Sequence, residues 1–393
     1  MTELSRRRAA LQHMLRQQKW GGFLIVQHVD CYYLCGSMQA GFLFIPAQGE
    51  AVFYVRRSVA RAIQESDCAV LPLSSMRDLG RQLYRDFPKL FNSEAEPIIA
   101  TTFDVLPVQL YEKLRTTVGA SWTDGSKLMK ELRMIKTEIE VERIRKAAHA
   151  VDRTLKQVLP QLQEGWSEVR LLAALEFELR QYGHLGLMRM RGFNQELVTG
   201  MLGSGAEMTE PGSFDGPTGG KGLHASFPQS ASFSPIRRNE PILLDIGCTI
   251  EGYVIDQTRT AVLGKLKDHL ARAYETARSI LYDIEGMLKP GMCSEELYVE
   301  ALKSAEKAGL KQYFMGYGAD QVKFLGHGIG LEVDEWPVLA KGFKMDLRPG
   351  MVIAIEPKFT FPGEGVVGIE NSYLITDDGF EKLTVTPEEI WEL

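Results

Sequence analysis

The chain has 393 residues, 45% of them hydrophobic and 24% charged, which is ordinary for a globular protein with two domains and ample core. A net charge of −6 leaves no basic footprint and argues against a nucleic-acid partner. Three arginines lie within residues 1–14 but no apolar core follows them, and no run approaches ~18 apolar residues, so neither a signal peptide nor a membrane span is expected. The five cysteines are odd in number and scattered, without paired CxxC spacing. They read as reduced thiols of a cytoplasmic protein rather than a zinc site or disulfide framework.

In chain order, residues 5–18 predict an amphipathic helix and 22–26 a strand. Residues 41–45 and 51–55 predict a hairpin around Gln48-Gly49-Glu50. Strands at 68–73 and 97–100 alternate with helices at 58–64, 76–86 and 106–115. This is the pattern of a small α/β domain, placed at residues 1–124. His28, Asp30, Tyr32 and Tyr33 read as loop and packing residues near a strand end, and Trp122-Thr-Asp-Gly-Ser as the linker. The second domain is placed at residues 125–393. Thr137-Glu-Ile-Glu140 is a capping box opening a long helix whose apolar stripe is Ile144, Ala148, Val151, Leu155 and Val158.

A weak repeat follows. The first helix ends at Glu164-Gly165 and Ser167 caps the next. Later a helix over 267–288 ends at Pro290-Gly291, and Ser294 is expected to cap another. Both units lead toward a hairpin carrying acidic residues, which predicts a pseudo-two-fold domain with a site between its halves. Between them, residues 202–222 hold seven glycines and two prolines and read as a long loop lining a substrate cleft.

The acidic residues carry the chemistry. In PILLDIGCTIEGYVIDQTRT, Asp245 and Asp256 are symmetric about a turn at 249–252, so a hairpin would set them face to face. Two carboxylates opposed on apolar strands cost stability unless a shared proton or a metal ion offsets the repulsion. Glu356 and Glu370 are likewise symmetric about Gly363, and His327 lies between the two pairs in Gly-His-Gly-Ile-Gly. A carboxylate pair alone would also suit a glycosidase, but that leaves the second pair and His327 without a role. Four acidic groups and one imidazole suit two divalent cations such as Mn²⁺, Co²⁺, Fe²⁺ or Zn²⁺.

The strings LLDIG, GYVIDQTRT, GHGIGLEVDE, IAIEP and GIEN resemble the metal-binding motifs of the pita-bread (M24) metallopeptidases, the family of Xaa-Pro aminopeptidases, prolidases and methionine aminopeptidases. The order Asp, Asp, His, Glu, Glu matches, as does the separation of eleven between the aspartates, and the N-terminal part is similar to the creatinase-type domain of the proline-specific branch. The resemblance implies an α/β (α+β) protein: a small α/β domain, then a pseudo-two-fold pita-bread domain of antiparallel sheet and covering helices. It implies two divalent ions, with manganese favoured. Asp256 and Glu370 would bridge them, Asp245 would hold one, and His327 and Glu356 the other. A metal-bridging hydroxide would attack an Xaa-Pro peptide, and Glu356 would serve as general base and proton shuttle. It also implies a homodimer, in which the first domain can help cover the partner's site.

The chain departs from that pattern in places. Pro228, Lys323 and Asp334 stand where proline-specific members usually carry histidines, and Gly368 where they commonly carry an arginine. Those side chains normally polarise the scissile carbonyl or hold substrate. His224 and Asp334 are therefore the candidate substrate-binding residues, with Lys221, Lys323 or Arg259 as sources of positive charge. The departures motivate two alternatives: a pita-bread protein that binds a peptide or small ligand with little hydrolysis, or a hydrolase of a non-peptide amide.

Overall fold

The computed structural model describes residues 2–393, and the backbone divides into two compact units, Met1–Arg133 and Met134–Leu393. The first unit is a six-stranded mixed sheet. Its strands lie in the order Ala69–Pro72, Val52–Val55, Gly41–Pro46, Gly22–Ile25, Ile98–Thr101 and Ser121–Asp124. The central strands are continuous apolar runs because helices cover them, and Phe23, Leu24, Phe44 and Phe53 are fully buried.

Two expectations for this unit are corrected. Residues 28–35 form a helix, His28–Cys35, started by the Gln27 side chain accepting from Asp30 N–H at 3.2 Å and stopped by Gly36 at φ 86°. Its packing residues are buried: the Asp30 carboxylate accepts from Arg133 Nη1 at 2.8 Å, and Tyr33 donates to the Leu132 carbonyl at 3.0 Å. Trp122–Asp124 does not form a linker but lies in the edge strand Ser121–Asp124, paired in parallel with Ile98–Thr101. A short strand ending in Asp-Gly-Ser has the composition of a turn, which is why it reads as one.

The second unit is built from two helix pairs over mainly antiparallel sheet. The Thr137/Glu140 capping box is formed, and it opens the helix Glu138–Val158. Ser167 caps Glu168–Gln181 by accepting from Arg170 N–H. The second pair is Asp268–Glu285 and Ser294–Lys307. Here the cap position is Cys293; Ser294 is already helical and donates to the Phe343 carbonyl at 2.9 Å. Each pair lies against its own hairpin, Glu138–Val158 on Cys248–Ile250/Tyr253–Ile255 and Asp268–Glu285 on Lys358–Phe361/Gly365–Gly368. The pseudo-two-fold arrangement of a pita-bread domain is therefore present in the element order and the packing. The larger core gathers Tyr274, Leu281, Leu297, Ile353, Ile355, Phe359 and Tyr373, all essentially without exposure. Burying each such side chain contributes about 1.5–3 kcal/mol.

The glycine-rich stretch begins later than expected. Gly200–Ser204 is a strand paired with Ile242–Ile246, and the irregular chain follows it. That chain folds back on residues 227–230, where Gly222 sits at φ 67° and an added Cβ would come 2.3 Å from the Phe227 carbonyl oxygen. No helix among the described residues is long and apolar enough to cross a membrane.

Candidate metal centre

Strand pairing alone collects the acidic residues on one face. Asp245 pairs with Thr258, and Thr258 bridges to Glu370. Glu370 shares the register of Glu356, because Ile355 pairs with Asn371 on one side and Lys358 with Gly368 on the other. His327 pairs with Ala354, two residues before Glu356. Directly opposed residues share a face, as do residues two apart on a strand, so one face carries Asp245, Asp256, His327, Glu356, Lys358 and Glu370.

The Glu356–Glu370 pairing is as expected, whereas the Asp245–Asp256 pairing is not. The turn is the two-residue Glu251-Gly252, at φ 51° and 91°, which suits a type I′ hairpin. It shifts the register so that Asp245 faces Thr258, and Asp256 lies two residues along on the same face. The carboxylates still gather, but diagonally.

The acid and imidazole atoms fall into two groups in which all potential ligand atoms lie within 4.8 Å of one another: Asp256, His327 and Glu370, and Asp245, Glu356 and Glu370. Glu370 is common to both. The resemblance pairs Glu356 with His327, and Glu356 Oε1 lies 3.8 Å from His327 Nε2, while Glu356 also groups with Asp245 and Glu370.

The second group encloses a residue that the sequence reading missed. Lys358 is fully buried, and its Nζ donates to Asp245 Oδ2 at 2.8 Å, Glu356 Oε2 at 2.6 Å and Glu370 Oε2 at 3.2 Å. Burial pulls its pKa down, but Asp245, Glu356 and Glu370 outweigh that and hold it well above the usual lysine value. Burial drives Asp245 and Asp256 upward, and Glu356 is pushed up to about 7 by burial, with Lys358 opposing.

Around the first group, Asp256 Oδ1 and Glu370 Oε1 are buried oxygens without a hydrogen-bond partner. Unpaired buried carboxylate oxygens are costly, so this donor set fits a cation. His327 supports it: its Nδ1 lies 3.1 Å from the Gly328 carbonyl, which leaves Nε2 for a metal. The orientation of the set is fixed from behind. Thr258 Oγ1 donates to Glu370 Oε2 at 2.7 Å, and Ser372 Oγ donates to the Asp256 carbonyl at 2.8 Å.

The remaining candidates lie elsewhere or serve other ends. Arg259 is wholly buried and donates to the carbonyls of Thr258, Glu370, Thr386 and Pro387 and to Asn371 Oδ1. All its donors are used on the frame, so it offers no charge to a substrate. His224 is exposed, and its Nδ1 sits 3.0 Å from Ser226 Oγ within its own turn. Lys221 and Lys323 are exposed too. Asp334 stands at the margin of the centre: its side chain has surface access, yet desolvation still raises its carboxyl pKa, opposed by His327, and Oδ1 accepts from Arg191 N–H at 3.4 Å.

Comparison with known proteins agrees with this architecture. Residues 142–377 match the model of metallopeptidase family M24, and residues 7–135 match the creatinase/prolidase N-terminal domain. An Xaa-Pro dipeptidase of Pyrococcus furiosus is 29% identical over 368 residues, spanning 93% of this chain and 94% of that protein. A probable dipeptidase of Mycobacterium tuberculosis is 27% identical over 94% of this chain and 91% of its own length. Among solved structures, the Xaa-Pro dipeptidase from Bacillus anthracis superposes with a TM-score of 0.83 at 23% identity over the full length of both chains. The prolidase from Pyrococcus furiosus gives 0.79 at 25% identity, covering 96% of this chain and 99% of that one. The chain belongs to metallopeptidase family M24, with a creatinase/prolidase-type domain preceding its pita-bread domain.

Proposed function

We propose that this protein is a metal-dependent peptidase that cleaves Xaa-Pro bonds, as an aminopeptidase or dipeptidase. The observation that carries the reading is the gathering of Asp245, Asp256, His327, Glu356 and Glu370 on one sheet face, with buried carboxylate oxygens left for a cation. The names of the relatives supply the substrate class. A bound divalent ion would acidify water and polarise the scissile carbonyl, with Asp256, His327 and Glu370 holding it. Glu356 would hold and release the proton at Oε1, since Oε2 is committed to Lys358. Asp334, near His327 at the margin, would meet the substrate; His224 would do so only if its turn moved inward. The two-ion arrangement expected from the sequence requires Lys358 to leave the Asp245–Glu356–Glu370 group. Manganese as the ion, a homodimer and a cytoplasmic location complete the proposal on family resemblance.

A second reading has its own support. Pro228, Lys323 and Asp334 in place of histidines, together with a lysine inside the acid cluster, favour a non-peptide amide substrate or a binding role. A peptide panel separates the readings: Xaa-Pro dipeptides, longer Xaa-Pro peptides and Met-initiated peptides, offered to metal-stripped protein reloaded with Mn²⁺, Co²⁺ or Zn²⁺. Metal-dependent cleavage at Xaa-Pro is expected. Metal uptake without cleavage of any peptide would refute the peptidase reading in favour of the second.

A further inference from the structure

We propose that Lys358 is a built-in cation filling one of the two carboxylate groups of the centre, so that this protein binds a single divalent ion, at Asp256, His327 and Glu370. The inference rests on reading the site as a metal centre and does not depend on the substrate.

The lysine's fit is specific. An ammonium has three donors, and Lys358 spends one on each of Asp245, Glu356 and Glu370, the full membership of the second group. The carboxylate atoms are divided accordingly. Glu370 Oε2 faces Lys358 and Thr258, whereas Glu370 Oε1 and Asp256 Oδ1 have no partner. One group is thus satisfied by protein alone and the other is left incomplete.

The opposite strand makes room for the lysine. Lys358 pairs with Gly368, where a Cβ would lie 2.5 Å from Lys358 Cγ and 2.9 Å from its Cα. Any larger residue at 368 would crowd the lysine stem, so the glycine and the inward lysine belong together.

Charge points the same way. Four carboxylates against one ammonium leave three negative charges, which one divalent ion reduces to one, whereas a second ion would sit within the lysine's own hydrogen-bond shell. A metal ion there, with metal–oxygen bonds of roughly 2.0–2.2 Å, would have to share these three carboxylates with Lys358, which already holds one oxygen of each. Two cations at that separation repel strongly in a buried site. Lys358 also differs chemically from the ion it replaces. It supplies charge and fixes three carboxylates, but with every donor used it has no open position for water or substrate. It is a positioning residue, and the chemistry falls to one ion and Glu356.

The test is metal stoichiometry in the full-length chain. Stripped protein is saturated with Mn²⁺ and freed of excess; bound manganese is then counted by mass spectrometry and examined by electron paramagnetic resonance. Wild type is expected to hold one equivalent with the hyperfine-split signal of an isolated ion. K358G is expected to hold two, with the broadened signal of a coupled pair. Two equivalents in wild type, or one in both proteins, would overturn the inference. No manganese in either would overturn it together with the metal-centre reading, whereas one equivalent without Xaa-Pro turnover would uphold it and defeat the substrate assignment. Should K358G not fold, a Mn²⁺-soaked wild-type crystal decides the matter. One anomalous peak among Asp256, His327 and Glu370 with Lys358 in place supports the inference, and two peaks reject it.

Discussion

Replacing Lys358 by methionine tests how the centre is held together without metal. Methionine keeps most of the side-chain volume, so the change removes charge and three hydrogen bonds rather than creating a large cavity. Asp245, Glu356 and Glu370 would be left facing one another in a buried site. Removing one partner of a buried ionic cluster costs about 3–5 kcal/mol, because the remaining charges lose their compensation. For a unit the size of Met134–Leu393, each kcal/mol moves the melting midpoint by roughly 2–4 °C. A fall of about 6–20 °C is therefore expected in chelator-treated protein. Calorimetry at pH 8 on both proteins, with urea unfolding as a second measure, reads the difference. A loss below about 1 kcal/mol would show instead that the ammonium does not neutralise these carboxylates.

Further outcomes follow from other buried groups. Burial, with Arg180 nearby, lowers the His184 pKa to about 4. The folded state therefore resists protonation that the unfolded chain accepts below about 6.5. Stability from this group is complete above that pH and drains away as pH falls toward 4, by about 3 kcal/mol at one pKa unit per 1.36 kcal/mol. H184Q, which keeps an acceptor for the Thr249 N–H, should unfold in urea with a flatter pH dependence between pH 7 and 5; an unchanged slope would count against the assignment. Arg259→Lys loses a planar donor set that ties Thr258 and Glu370 to the 386–387 segment. A loss of about 3 kcal/mol or more is expected, with weaker divalent-ion binding by calorimetry, and normal ion affinity in the variant would show that Glu370 is held by other means.

Much of this architecture was legible in the sequence because it depends on local rules. The Thr137/Glu140 box, the apolar strand runs of the first unit and the symmetry of Glu356 and Glu370 about Gly363 all express themselves within short windows. What was missed needed register. Asp245 and Asp256 look symmetric about 249–252, but the hairpin prefers the Glu251-Gly252 turn with its positive φ angles, which moves the partner of Asp245 to Thr258. Lys358 carried a usable signal: it lies two residues after Glu356 at the start of the buried KFTF strand, so parity alone points it at the acid cluster. Arg259 reads as a free cation from the sequence, and only the convergence of three distant carbonyls, those of Glu370, Thr386 and Pro387, shows that it is structural. The helix His28–Cys35 was hidden because its aromatic and β-branched residues have no clear helical period, and tertiary burial decides.

Hydrolysis is proposed to run on a cation held at Asp256, His327 and Glu370. The most direct test is the Asp256→Ala variant, assayed for Xaa-Pro cleavage after metal reconstitution and in parallel for bound metal. Loss of both the ion and turnover, with the fold intact by circular dichroism, is the expected result. Turnover at the wild-type rate in that variant would contradict the account.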